Sequence, residues 1–142
     1  MRPRSAADVV FVVDEDAGSN VAKGIIAAGG NAVLLSEKLG HGTDDVDWIP
    51  RAHEWGCAIV TRDLAQRRNP FESEAHRQCG CHVFILRGGG LKFDELHAAM
   101  VKHYPEMLRY VLKYARPFIA HITSRSINVH EHTGRWGGVK NG

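Results

Sequence analysis

Apolar residues in this chain fall into short blocks set between Gly-rich and polar stretches, and the blocks alternate between strand-like and helical spacing. Residues 8–14, DVVFVVD, are an unbroken β-branched and aromatic run, the pattern of a strand buried on both faces. Ser19 or Asn20 offers a helix N-cap, VAKGIIAA repeats apolar residues at helical spacing, and Gly29-Gly30 ends the helix. NAVLL (31–35) predicts a second strand, and SEKLGHGTDD is a turn-rich loop. Asp44 or Asp45 can cap a helix through WIPRAHEW that stops at Gly56. CAIVT (57–61) is a third strand, LAQRRNP a loop, FESEAHRQ a helix and HVFIL (82–86) a fourth strand. Beyond Gly88-Gly89-Gly90, KFDELHAAMVKHY and then PEMLRYVLKYA read as successive helical stretches, and FIAHI as a further strand. Strands alternating with helices predict an α/β domain with a mainly parallel sheet covered on both faces. The domain is expected over residues 1–125, followed by a polar, partly mobile, His- and Arg-containing tail at 126–142.

Length and composition narrow this further. A chain of 142 residues has room for one core, and 44% apolar with 24% charged residues is ordinary soluble composition. Nothing approaches a membrane-spanning apolar run, and MRPRSAADVV lacks the apolar core and cleavage site of a signal peptide, so a cytoplasmic location is expected. Cys57, Cys79 and Cys81 are odd in number and argue against a disulfide scaffold. A net charge of +2 does not by itself argue for nucleic acid, but its distribution is uneven. The acidic clusters lie within 13–74, whereas from Arg109 to Lys140 the residues Arg109, Lys113, Arg116, Arg125, Arg135 and Lys140 face one acidic residue, Glu131. That asymmetry suits a metal enzyme acting on a polyanion, and equally suits plain surface charge.

Open parallel sheets form their sites outside the carboxyl ends of the strands. Asp14 closes the first strand, Asp63 closes the third, and Asp45 opens the helix after the second. Each alone is accounted for as a turn residue or an N-cap; together, βαβ topology returns all three to one sheet edge. Two like charges about 4 Å apart repel by roughly 4 kcal/mol at an effective dielectric of 20, so such a cluster calls for a cation. Oxygen-only ligands favour Mg²⁺ or Mn²⁺ over zinc. Asp16 and Asp47 lie close enough in sequence to join, and Glu15 and Asp44 to substitute. Arg62, Arg67 or Arg68 can neutralise a substrate phosphate, or else belong to solvated loop.

The succession FVVDED, GTDDVDWIPRAHEWGCAIVTRD, RRNPFE and HVFILRGGG resembles the PIN-like domains related to the VapC-type toxins of toxin–antitoxin modules. The resemblance covers roughly residues 9–125. It implies a three-layer α/β/α sandwich, an acidic cluster binding Mg²⁺ or Mn²⁺, and endoribonuclease activity held off by a cognate antitoxin. Carried over by position, Asp14 matches the first-strand acid, Asp45 the acid before Trp48-Ile49, Asp63 the acid of Thr-Arg-Asp, and Glu72 the glutamate of Asn-Pro-Phe-Glu. This chain departs in having Asp16 where Asn is usual, and in a doubled Asp44-Asp45 that leaves the middle acid open among Asp44, Asp45 and Asp47. One cation or two is likewise open. The expected mechanism is hydrolysis of an RNA phosphodiester by water that the cation activates.

Rival readings are an Asp-x-Asp phosphatase or phosphotransfer domain built on Asp14-Glu15-Asp16, and a non-catalytic partner-binding PIN-like domain. His76, Cys79, Cys81 and His82 have zinc-ligand types at unsuitable spacing, and Cys81 and His82 would point to opposite faces of a strand. In His130-Glu131-His132 both histidines share a side if extended, which permits a metal, although an exposed tail is the simpler account. Large apolar groups on the late helices, from Phe93 through Leu96, Met100, Tyr104 and Met107 to Tyr114, exceed what one sheet face would bury, so a homodimer or antitoxin complex is expected.

Overall fold

The structure, a computed structural model, describes residues 2–14, 16–35, 58–62, 81–87 and 92–137. Six strands build one sheet: β1 (Val10–Val13), β2 (Asn31–Leu34), β3 (Ala58–Arg62), β4 (His82–Leu86), β5 (Phe118–Ile122) and β6 (Ile127–His132). Their order is β2-β1-β3-β4-β5-β6, parallel throughout except that β6 runs antiparallel to β5. The helices α1 (Ser19–Ala27) and α2 (Leu96–Lys113) complete the described framework, with short 3₁₀ turns at Ala6–Asp8 and Phe93–Glu95. This is an α/β fold built on a mainly parallel sheet. The helices expected over WIPRAHEW and FESEAHRQ lie outside the described residues.

The strand alternation sorts the core. On one face Phe11, Val60, Phe84 and Phe118 pack with Val21 and Ile25 of α1 and with Met100, Tyr104 and Met107 of α2. On the other Val12, Ile59, Cys81, Val83, Ile85 and Ile119 form a second buried cluster with Leu35. Both faces are therefore buried, as the unbroken apolar runs required. Cys81 and His82 do fall on opposite faces, with His82 against Phe118. Because α1 and α2 share a face while β2 adds beside β1 and β5 on the far side of β4, their two crossovers have opposite hands, one of them the rare left-handed kind. Gly24 permits this packing: a Cβ there would lie 2.6 Å from the carbonyl oxygen of His97 and 2.7 Å from Met100 Cβ.

Three expectations change. Gly18, at φ 87°, is the N-cap of α1 in place of Ser19 or Asn20. Pro105 does not divide the late helix, since α2 runs through it from Leu96 to Lys113. The proline stands on the exposed side while Tyr104 and Met107 are buried beside it, so packing of the apolar stripe holds the turn that the missing N–H weakens. The sheet also runs past residue 125: Ile127–His132 is a strand paired with β5, and Trp136 donates from Nε1 to the Val111 carbonyl. Sequence pattern missed β6 because an edge strand with one buried face is mostly polar, here buried at Ile127 and then alternating between half-buried and exposed. Within the chain α2 buries Leu96, Met100, Tyr104, Met107 and Val111, while Leu108, Tyr110, Leu112 and Tyr114 pack partly against that core and stay half-buried. Among the described residues the exposed large apolar side chains are Ile26 and Val101. No described helix is long and apolar enough to cross a membrane.

Candidate functional site

In the order β2-β1-β3, connections from the sheet centre leave in both directions between β1 and β3, and the crevice beyond their carboxyl ends is where such sheets bind ligands. Val13 pairs with Val60, so the next residues, Asp14 and Thr61, stand side by side, and the Asp14 N–H continues the ladder by donating to Val60 O at 2.9 Å. A tight turn follows, in which the Asp14 carbonyl accepts from Ala17 N (3.0 Å) and Gly18 N (3.3 Å). The positive φ of Gly18 lets the chain leave this turn into α1 without the steric cost of a Cβ.

The turn brings Asp16 back over the end of β3. Thr61 Oγ1 is 3.2 Å from Asp14 Oδ2 and 3.3 Å from each carboxylate oxygen of Asp16. The Arg62 backbone N–H donates to Asp16 Oδ1 at 3.2 Å. Asp14 is 6% and Thr61 8% exposed, so these groups meet at the lip of the core and not on open surface. One hydroxyl hydrogen faces two carboxylates and can serve one at a time. The result is a pair of acids, within about two hydrogen-bond lengths of each other, held at a strand end.

The structure thus unites Asp14 and Asp16 of the expected acidic set and puts Arg62 at the same edge. Asp45, Asp47, Asp63, Glu72, Arg67 and Arg68 lie outside the described residues. Among the described residues no three His, Cys, Asp or Glu side chains group as a metal set. Thr61 is the member that sequence reasoning passed over as strand filler. Its signal was alternation, because with Val60 facing the α1 and α2 side, Thr61 must face the same side as Asp14.

The histidines of β6 do not act together. The register irregularity between Ile119 and Ala120 makes His130 the extra residue of a bulge. His130 stacks on His121 with centroids 4.6 Å apart, whereas His132 packs on Tyr114 at 4.9 Å, so the shared side expected of an extended His-Glu-His is lost.

The arrangement is that of an α/β domain with paired acids at the switch point of a mainly parallel sheet. A family model described as a PIN like domain matches residues 9–88, more than half of the chain, and the chain belongs to that family. PIN-like domains are commonly nucleases. No curated protein matches the chain.

Proposed function

We propose that this chain is a Mg²⁺- or Mn²⁺-dependent endoribonuclease and the toxin component of a toxin–antitoxin module. The observation that supports it is the meeting of Asp14 and Asp16 on the Thr61 hydroxyl at the carboxyl ends of β1 and β3. Adjacent carboxylates repel, and a cation offsets the repulsion. The donors present are carboxylate and hydroxyl oxygens, hard ligands that fit Mg²⁺ or Mn²⁺. Asp14 and Asp16 would hold the ion, with Asp45, Asp47 and Asp63 as further ligands and Glu72 completing the catalytic acids. When bound, the ion supplies Lewis acidity, which makes water a nucleophile near neutral pH and offsets charge on the phosphodiester. The protein's own groups do the positioning. Thr61 orients the two carboxylates, the Arg62 N–H fixes Asp16, and the side chains of Arg62, Arg67 or Arg68 meet the substrate phosphate. The partners in this reading are the RNA substrate, a cognate antitoxin and a second copy of the chain, in the cytoplasm.

The test is cleavage of RNA by purified protein with and without Mg²⁺ or Mn²⁺, for wild type and Asp14→Asn. The variant keeps the side-chain size and one acceptor oxygen but loses the charge that binds the ion. Its activity should fall by more than the roughly 10–100-fold typical of disturbing an outer partner, while its thermal unfolding stays cooperative. Wild-type cleavage by the variant, or cleavage indifferent to EDTA, would sink the reading.

One observation favours a second reading. An Asp-x-Asp phosphotransfer site also places a Thr beside its first Asp, as Thr61 stands beside Asp14. Membership of the PIN-like family runs against it. Hydrolysis of p-nitrophenyl phosphate by a preparation that leaves RNA intact would select it.

A further inference from the structure

We propose that a basic groove at the opposite end of the sheet docks a short acidic peptide segment of a partner protein, one that carries an apolar side chain between its carboxylates. This stands apart from the acidic site and does not depend on the nuclease reading.

The groove encloses about 520 Å³ and is lined by the N-terminal Arg2, by Pro105, Leu108, Arg109, Leu112 and Lys113 of α2, and by Arg135 and Trp136 of the C-terminal turn. A neighbouring depression of about 640 Å³ shares Arg2 and Leu112 and adds Pro3 and Arg4. The location follows from topology. Arg2 and Arg4 precede β1, Lys113 ends the helix that leads into β5, and Arg135 bridges to Tyr114 just before β5 begins. All lie at the amino ends of the strands, whereas Asp14 and Thr61 lie at the carboxyl ends. At a rise of about 3.3 Å per residue, one strand length puts on the order of 15 Å between them.

The chemistry selects the occupant. Arg2, Arg4, Arg109, Lys113 and Arg135 give the rim positive charge, which Glu106, paired with Arg109 at 3.4 Å, offsets only in part. The floor between them is apolar, with Leu108 and Leu112 one helical turn apart and Pro105 and Trp136 beside them. Cations around an apolar floor match carboxylates flanking an apolar side chain, and the size suits one or two such side chains. A single-stranded nucleic acid would need aromatic faces for its bases. Trp136 is already committed: Nε1 donates to Val111 O at 3.0 Å, its ring lies 5.9 Å from that of His82, and the Arg116 guanidinium sits 5.7 Å from its centroid. No other aromatic side chain lines the groove among the described residues. The floor therefore favours an aliphatic side chain over a stacked base.

The experiment is fluorescence anisotropy on the full chain with three labelled probes: a peptide alternating Glu and Leu, its Leu→Ser counterpart, and an oligouridylate of equal charge. The Glu/Leu peptide should bind saturably, and the Ser counterpart at least about 10-fold more weakly, a difference of about 1.4 kcal/mol. Lys113→Glu with Arg135→Glu should weaken the peptide by about 10-fold or more and leave RNA cleavage unchanged. Arg2→Glu, on the N-terminal arm, should act in the same direction and covers the case in which the double variant fails to fold. Absence of saturable peptide binding below about 1 mM overturns the proposal. So does equal binding of the Leu and Ser peptides, which would reduce the groove to unspecific charge. Tighter oligouridylate binding that the charge reversals abolish would also overturn it and assign the groove to RNA.

Discussion

The hydroxyl of Thr61 lies 3.2 Å from Oδ2 of Asp14, across the seam where β3 meets β1. That contact is the point where two stretches of chain far apart in sequence become one site. Because the same hydroxyl also reaches both oxygens of Asp16, removing it should loosen two carboxylates together. Thr61→Val is expected to lower metal-dependent cleavage by roughly 10–100-fold and raise the Mn²⁺ concentration needed for half activity. Thr61→Ser restores the hydroxyl and should recover most of both. A Val variant with wild-type metal dependence would make the hydroxyl incidental.

His82 predicts a pH dependence of stability. It is 2% exposed, and since a carbonyl only accepts, its Nε2–H donates to Tyr114 O at 2.7 Å. Its pKa is lowered from 6.5 to about 4, chiefly by burial, with the Tyr114 hydrogen bond opposing the shift and the nearby Arg116 charge adding to it. Between those values the unfolded chain binds a proton that the folded chain refuses. The stabilisation is therefore complete above about pH 6.5 and is lost as pH falls toward 4, by roughly 3 kcal/mol across the window at 1.36 kcal/mol per unit. Urea midpoints at pH 7.5 and pH 5 should diverge for wild type and draw together in His82→Gln. An equal divergence in the variant would assign the effect elsewhere.

At Gly24 the expected effect is steric. Ala there would press its Cβ against the His97 carbonyl and Met100 Cβ, both under 3 Å away and both on the neighbouring helix. Overpacking of this kind costs about 1–3 kcal/mol, which outweighs the roughly 1 kcal/mol that Ala normally gains over Gly in a helix. Denaturant unfolding of Gly24→Ala should show a net loss, and a gain would mean that α1 and α2 are further apart than described.

Pro105 should show the opposite sign. It is exposed inside a continuous helix, so Pro105→Ala supplies the missing N–H without disturbing the buried stripe. Against a helix-interior preference of about 3 kcal/mol stands about 1 kcal/mol of extra freedom in the unfolded chain. Thermal unfolding should move up, by on the order of 1 kcal/mol or more at the midpoint. An unchanged or lower midpoint would show that the proline suits this turn.

Much of the sheet was legible from local pattern. HVFIL was expected at 82–86 and forms β4 at those residues; DVVFVVD, NAVLL and CAIVT contain β1, β2 and nearly all of β3. β1, β3 and β4 are buried on nearly all positions of both faces, and a continuous apolar run is a signal that needs no knowledge of neighbours. β2, at the sheet edge, is half-buried, but its run NAVLL carries the same signal. β6 was illegible for the converse reason. INVHEH has little apolar content of its own, and it becomes a strand because β5 offers an unpaired edge and the core accepts Ile127.

The site divides in the same way. Sequence alone determined that Asp14 ends a buried strand and that Asp16 follows within reach of a turn, because strand ends and Gly-containing turns are local properties. Which side chain meets them was a matter of register. Only the pairing of Val13 with Val60 sets Thr61 beside Asp14, and a slip of one residue would have turned it to the other face. Tertiary structure likewise decided that α2 stays whole through Pro105, since burial of Tyr104 and Met107 outweighs a local preference that sequence reads as a break. It alone parted His130 from His132, through a bulge that arises only when β6 pairs with β5. Local propensity is written residue by residue, whereas register, edges and bulges are properties of pairs of segments, and those exist only once the chain has folded.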